Sequence, residues 1–301
     1  MSLPNDPWPP LSYPDFADTH HLLHLGLQAI GKLKLKEPFQ PQWSGIPLWI
    51  GSRGLTTGPI SYASGAYEVS VDLVSHETIC ATSWGNSGRF KLASMSVAEF
   101  VERIFDLLHQ AGIDVSINLM PQEIPNPIPF NQDKAPRFYD PMMANSWWRI
   151  LLSTQRVMQA FRGFFQGKTQ PVCLMWGTLD IRDVFYSGKP ASPGANTDYI
   201  RRNAMNAELI EMGWWDGNAA YPRAAFYSFT YPQPAGIEDA EVSPPSARWN
   251  PDMSEFILDY DDLRKSKDPD GDLLSFFRST FKAGFERANW DPDLMGNGRP
   301  D

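Results

Sequence analysis

Cysteine is nearly missing from this chain: 301 residues include two, Cys80 and Cys173. Two thiols cannot build a disulfide framework or complete a four-ligand zinc site alone. Both sit in apolar, strand-like runs, where a free thiol packs as a small hydrophobe. Histidine is scarce as well, with five. Positive charge is outnumbered, 26 Lys and Arg against 35 Asp and Glu, for a formal net charge of −9. That field repels a phosphate backbone. The densest basic stretch is only Lys32, Lys34 and Lys36, spaced by leucines, so nucleic acid is not an expected partner. No apolar run approaches the ~20 residues of a membrane helix, and the proline-rich stretch 1–16 has no signal-peptide core. The expectation is a cytoplasmic protein with no membrane partner; nothing in the sequence sets its oligomeric state.

What the chain does have is apolar bulk. Hydrophobic residues make up 42% and aromatics 13%, including 11 Trp and 18 Phe, which excludes disorder for most of its length and favours a core of large rings. From Asp18 or Thr19 to about Leu35, leucines and alanines fill a wide helical arc. Strand patterns follow at 46–50, 67–73, 77–84 and 89–92. The last two are joined by Gly85-Asn86-Ser87-Gly88, a tight-turn composition. Ser96 and Glu99 form a capping box for a helix to His109, and 115–119 alternates as a strand.

The stretch 121–141 is dense in proline but carries Ile124, Ile128, Phe130, Phe138 and Tyr139, so it reads as a strap packed on the body. Beyond it, helices are expected at 143–165, from Thr197 to Gly213, and at 270–288, where Phe277, Phe281 and Phe285 share one face. Strands are expected at 171–176, 181–186, 225–230 and 256–260. The predicted architecture is α/β or α+β: a mixed, mainly antiparallel sheet packed by four to five helices. It forms one unit over 17–291, with room for two similar lobes, 17–120 and 142–291. Residues 1–16 form a lead-in and 292–301 a flexible tail.

Several motifs fail on spacing or context. Gly163 to Lys168 resembles a phosphate loop but has three residues between its glycines where four are needed, and a helix precedes it. Asp268-Pro269-Asp270-Gly271-Asp272 would place Phe277 where a calcium loop needs a bidentate glutamate. His20 and His24 lack a third ligand nearby, so no metal is assigned, and no cofactor motif is present. No Gly-x-Ser-x-Gly elbow exists, and neither cysteine has an activating neighbour in sequence.

Four clusters remain. His24, Gln28, Gly31 and Lys32 form a narrow polar stripe on the first helix, either a solvated face or the wall of a pocket. Arg53 with Thr56 and Thr57 brings a planar fork of donors and two hydroxyls, suited to a carboxylate or phosphate or simply to the loop's own turn. Arg149 and Arg156 lie on one side of the long helix and suit pairing with acids. Trp176, Gly177 and Asp180 leave the end of a strand, where loops tend to hold ligands.

Together these segments make the chain resemble a mainly bacterial family of about this length, known as a domain of unknown function. The resemblance rests on Leu23-His24 with Gln28 and Gly31-Lys32, on Arg53-Gly54-Leu55-Thr56-Thr57 with Pro59, and on Pro129-Phe130 with Asp133 and Tyr139-Asp140. It continues through Phe161-Arg162 with Gly167-Lys168, Trp176-Gly177 with Asp180, Ser187-Gly188, and Tyr227-Ser228. A histidine that the family carries between the Asp and Tyr of the third segment is replaced here by Lys134-Ala135-Pro136-Arg137. The resemblance implies one unit along the whole chain and brings no activity, substrate or cofactor.

The functional expectation is a small-molecule enzyme or binding protein for an anionic metabolite. His24 and Asp180 would move protons, while Arg53, Thr56 and Thr57, with Gln28, Lys32 and Trp176, would hold the ligand. The side chain of His24 titrates near neutrality when unperturbed, which suits proton transfer. The alternative is a non-catalytic interaction protein presenting Trp147-Trp148, Trp214-Trp215 and the proline-rich loops to a partner.

Overall fold

Alternating burial along two sets of strands organises the molecule. In the computed structural model, which describes residues 6–296, the first set is β1 (Trp49–Gly51), β2 (Gly54–Thr56), β3 (Ile60–Tyr62), β4 (Gly65–Asp72), β5 (Glu77–Thr82) and β6 (Ser87–Lys91). They form one sheet in the order β1-β2-β4-β5-β6, with β3 also on β4. The second set is β7 (Thr169–Met175), β8 (Asp180–Pro190), β9 (Ala207–Trp215), β10 (Ala225–Tyr231), β11 (Arg248–Asn250) and β12 (Glu255–Asp259), in the order β11-β12-β10-β9-β8-β7. Every pairing is antiparallel. Leu48 and Leu174 exchange backbone hydrogen bonds and tie one sheet to the other.

Among the described residues six helices complete an α+β fold: α1 (Tyr13–Leu33), α2 (Val97–Gln110), α3 (Pro141–Phe161), α4 (Tyr199–Ala204), α5 (Tyr260–Arg264) and α6 (Pro269–Arg287). Four are long, and α4 and α5 are short. Ser96 caps α2 by accepting from the Glu99 amide, as the capping box predicts. α1 starts at Tyr13, earlier than expected, because Pro14 suits a first helical turn, where its missing N–H is not needed.

The large sheet has two chemically different faces. One carries Ile181, Phe185, Ile210, Met212, Trp214, Phe226, Phe256 and Leu258, all buried. Against it lie α3 and α6, whose Phe161 and Phe281 meet Phe185 at ring distances of 5.8 and 5.0 Å. Each such side chain contributes roughly 1.5–3 kcal/mol by leaving water. The opposite face carries Asp180, Arg182, Glu211, Tyr227 and Glu255, and it is the face that matters for function.

Two expectations are corrected. Residues 197–213 are not one helix: α4 ends at Ala204 and β9 begins at Ala207. Leu209, Glu211, Gly213 and Trp215 alternate with Ile210, Met212 and Trp214, and pairing on both sides by β8 and β10 overrides their helical propensity. Residues 115–119 form no strand and join no sheet. Trp147, Trp148 and Trp214 are buried, so these tryptophans are core rather than an exposed patch.

The described part of the lead-in is packed down: Trp8 Nε1 donates to Asp270 at 2.9 Å and the Tyr260 hydroxyl to the Pro9 carbonyl at 2.7 Å. Likewise Pro292–Met295 forms a 3-10 turn whose Leu294 carbonyl accepts from the Gln166 amide at 2.8 Å. Residues 297–301 of the expected tail lie outside the described residues. Among the described residues, no helix is long and apolar enough to cross a membrane.

One charge on the apolar face has a measurable consequence. Asp183 is fully buried, and its nearest cation is Arg162 at 3.5 Å. Burial pushes its carboxyl up to about 7 despite that arginine. A folded-state value above the unfolded one means the folded protein holds the extra proton. The associated stability is complete below about pH 4 and is lost as pH rises through about 7. Asp183→Asn is expected to remove a decline of a few kcal/mol between pH 4 and 8, read from urea unfolding across that range. An unchanged slope in the variant overturns the assignment.

Candidate functional site

The polar stripe of α1 does not face water. His24, Gln28 and Lys32 are all buried, and each is spent on backbone carbonyls of the strap, of the residues leading into it, or of the turn after β7. Lys32 Nζ donates to the Asn118 carbonyl at 3.0 Å and to that of Met120, and sits 5.5 Å from the centre of the Phe130 ring. Burial lowers its ammonium to about 8. Gln28 acts as a peptide clamp: its Oε1 accepts from the Gln122 amide at 2.8 Å, and its Nε2 donates to the Gln122 carbonyl at 2.8 Å and to that of Gly177 at 3.0 Å.

His24 Nε2 donates to the same Gly177 carbonyl at 2.8 Å. Burial, with His20 beside it, drives the imidazole of His24 down to about 4, so it is neutral at physiological pH and is occupied as a donor. Beside it, His20 lies 3.2 Å from the buried Asp216. Burial opposes charge on His20, but that carboxylate outweighs it and raises the imidazole's pKa.

Trp176 belongs to the same construction. Its indole lies where a Cβ on Gly31 would be, so α1 can approach only with glycine there, and its Nε1 donates to the Ile46 carbonyl at 2.9 Å. Trp176, Gln28 and Lys32 are therefore structural contacts in this fold. The result of the clamp is to hold the strap so that the next residue, Glu123, takes a left-handed φ of 55°. Its carboxylate fills the space beside Gly177 that any Cβ there would need.

On the other side of Gly177 lies the polar face of the large sheet. Asp180 opens β8 and Arg182 follows two residues on. Across β9 and β10, Arg182, Gly213 and Tyr227 form one row. With no side chain on Gly213, the Tyr227 ring lies across that position. Its hydroxyl therefore reaches Asp180 Oδ2 and stands 3.2 Å from Glu211 Oε1. Arg182 meets the other Glu211 oxygen at 3.2 Å and donates to Gln170 Oε1 at 2.9 Å. Thr178 donates to the second oxygen of Asp180.

Counting protons decides the arrangement. A phenol has one hydrogen, and two carboxylate oxygens lie within hydrogen-bond reach of it. The hydrogen serves Asp180, the closer partner, and the Glu211 contact is then favourable only if Glu211 is protonated and donates to the phenol oxygen.

The electrostatics agree with this count. Burial raises the Glu211 carboxyl, and Asp180 adds to the rise while Arg182 opposes it. Burial with Glu211 and Asp180 pushes Glu255 up to about 8, and burial with Asp180 and Asp198 pushes Glu123 up to about 7. Tyr227 is raised well above its ordinary value by burial and Asp180, so the phenol keeps its proton. The cluster of Asp180, Glu211, Glu255 and Glu123 thus gathers four carboxyls around one guanidinium, that of Arg182, while Arg248 on the same face pairs with Asp259 at 3.0 Å. The cluster can give or take protons near neutrality. Among the described residues, no group of three or more His, Cys, Asp or Glu is placed to hold a metal ion.

The residues expected to bind an anion are elsewhere. Arg53 Nε donates to Asp72 at 2.5 Å on the small sheet. Thr56 donates to Glu68 at 2.6 Å and Thr57 to the Gly58 carbonyl at 2.6 Å. None of these contacts reaches His24 or Asp180, so of the expected set only Asp180 enters the carboxyl cluster. Glu211 went unnoticed because residues 197–213 read as a helix. In a strand reading it stands out as an acid at a buried position between Leu209 and Gly213.

These contacts also explain the segments of family resemblance: His24, Gln28, Gly31 and Lys32 meet Trp176 and Gly177, and Asp180 meets Tyr227. The chain belongs to a family of unknown function (DUF5996), whose pattern matches residues 8–297. No curated protein and no solved structure matches it.

The clamp generates a direct expectation. Gln28→Ala leaves the Gln122 amide and carbonyl without these partners, while the Gly177 carbonyl keeps His24, a destabilisation of about 1–3 kcal/mol. It should also speed hydrogen exchange of the Gln122 amide by at least tenfold relative to the core of β9. Unchanged exchange at Gln122 would show that something else holds the strap.

Proposed function

We propose that this family member is a small-molecule enzyme or binding protein whose acid–base chemistry runs through Asp180, Tyr227 and Glu211. The observation that carries the reading is the single phenol hydrogen lying between two carboxyl groups. Asp180 is the proton acceptor of the set. Glu211 is the donor, and the phenol links them, so a proton taken up at Asp180 can be matched by one released from Glu211. Carboxyls whose pKa lies near the working pH are the efficient ones for such work. Buried like charges are a standard way to raise them.

The surplus of carboxyls disfavours an anion on this face and favours a cationic or hydroxylated ligand. Trp215, Tyr227 and Phe229 support that choice: their rings follow one another at 6.1 and 6.3 Å beside the acids. An aromatic strip next to carboxylates suits an ammonium group or the apolar face of a sugar-like ring. The earlier anion set lends less support, because Arg53 and Lys32 are engaged with protein groups. The interaction-protein alternative is weakened by the burial of Trp147, Trp148 and Trp214.

Two measurements test the reading. Side-chain carboxyl titration by carbon-13 NMR should find midpoints near 7 for Glu123 and near 8 for Glu255, and Tyr227→Phe should move the Glu211 midpoint. Thermal-shift screening should find stabilisation of several degrees by an amine or polyol, lost in Asp180→Asn. If every carboxyl titrates below 5, or if only anions stabilise the protein and do so equally in Asp180→Asn, the proposal fails.

A further inference from the structure

A second feature lies on the far side of Gln170 from the carboxyl cluster. Between the small sheet and the β7 edge of the large one is a cavity of about 490 Å³, lined in part by Lys34, Glu37, Trp49, Thr57, Lys168 and Gln170. Its donors and acceptors can be accounted for one at a time. Thr57 donates to the Gly58 carbonyl, Glu37 accepts from the Ser61 amide, and Gln170 is shared between Arg182 and the Gln42 carbonyl.

The ammonium groups are different. Lys34 is 5% exposed, and its one hydrogen-bond partner among the described residues is the Pro47 carbonyl. An ammonium has three hydrogens, so two are left over. The Trp49 ring, 4.9 Å away, offers its face to the charge but no acceptor atom. Lys168 at the rim reaches Gln42 Oε1 at 3.3 Å. Among the described residues neither lysine forms an ion pair. A buried ammonium with no carboxylate in contact is costly, and burial lowers Lys34 to about 8, although the Glu37 carboxylate on the same cavity opposes the fall. Two ammonium groups with donors to spare thus face one carboxylate, Glu37, across the cavity, and the surplus is cationic.

We propose that this cavity is a second ligand site, which takes a small oxyanion, carboxylate or phosphate, on the Lys34 ammonium with Lys168 at its entrance. An oxyanion supplies the acceptors that Lys34 lacks and neutralises a charge held away from water. The Trp49 wall leaves room for an apolar body attached to the anionic group. The site is independent of the acid–base reading, although Gln170 borders both.

The test is a titration of the full chain with inorganic phosphate and with acetate, at ionic strength held constant with chloride, followed by melting temperature and calorimetry. Saturable stabilisation by phosphate, acetate or both is expected, and the more effective probe identifies the anionic group. Lys34→Met should weaken binding at least tenfold, Lys168→Gln about threefold, and Lys34→Arg should keep it. Asp180→Asn should bind as the wild type does, which separates failure here from failure of the carboxyl reading. If Lys34→Met does not fold, Lys168→Gln decides: weakened binding supports the site and unchanged binding overturns it. Equal responses in wild type and both charge-removing variants, or an equal response to chloride, would mean an adventitious ion only.

Discussion

The amide of Gln28 is the contact on which the described site depends. It sits inside the molecule, where an unpaired amide would cost about as much as a lost hydrogen bond or more, and it is satisfied by the two backbone groups of Gln122 and by the Gly177 carbonyl. Around Gln122 the strap has no regular element of its own; its 3-10 turn, Phe130–Gln132, and its bridge from Arg137 to Met95 come later. A proline-dense segment has few amides to offer a ladder, so at Gln122 it is held by side chains reaching in from elsewhere. α1 provides them at helical spacing: Lys32 takes the carbonyls of Asn118 and Met120, Gln28 takes Gln122, and His24 joins at Gly177. Polar residues on a buried helix face are here the fastening of an irregular segment.

That fastening has an electrostatic result. It delivers Glu123 to a face that already carries Asp180, Glu211 and Glu255 around Arg182. Carboxyls gathered where water is scarce do not all ionise near neutrality, and the phenol of Tyr227 stands between two of them, Asp180 and Glu211. The same face is polar because the opposite one is not. α3 and α6 cover the phenylalanine side of the sheet, which leaves the alternate residues of every strand free to carry chemistry. Gly213 is the small detail that permits it, since a side chain there would lift the Tyr227 ring off the strand.

Much of the framework was legible from local signals. The Ser96–Glu99 box and the phenylalanine row of α6 each identify an element through contacts within a few residues, and Gly85-Asn86 marks a turn whose expected second half, Ser87-Gly88, already belongs to β6. The reading failed where partners far along the chain decide. Residues 207–215 contain good helix formers and become β9 because strands on both sides pair with them. In turn the wrong period hid Glu211. The stripe of α1 was visible as a pattern, but its role was not: whether a polar face meets water or a strap depends on residues about ninety positions away, as Gln28 and Gln122 are.

The amino-acid order by itself determined which stretches are helical or extended wherever caps, turns and apolar period agree. It also determined the acidic balance and the family to which the chain belongs. Those properties arise from short-range sterics and from composition, which need no knowledge of the fold. Tertiary structure alone decided that Arg53 pairs with Asp72, that Lys32 holds a loop while Lys34 keeps unused donors, and that Asp180, Tyr227 and Glu211 share one proton network. Hydrogen bonds and charge act over a few ångströms of space. Their partners come from separate strands, so no spacing along the chain could announce them.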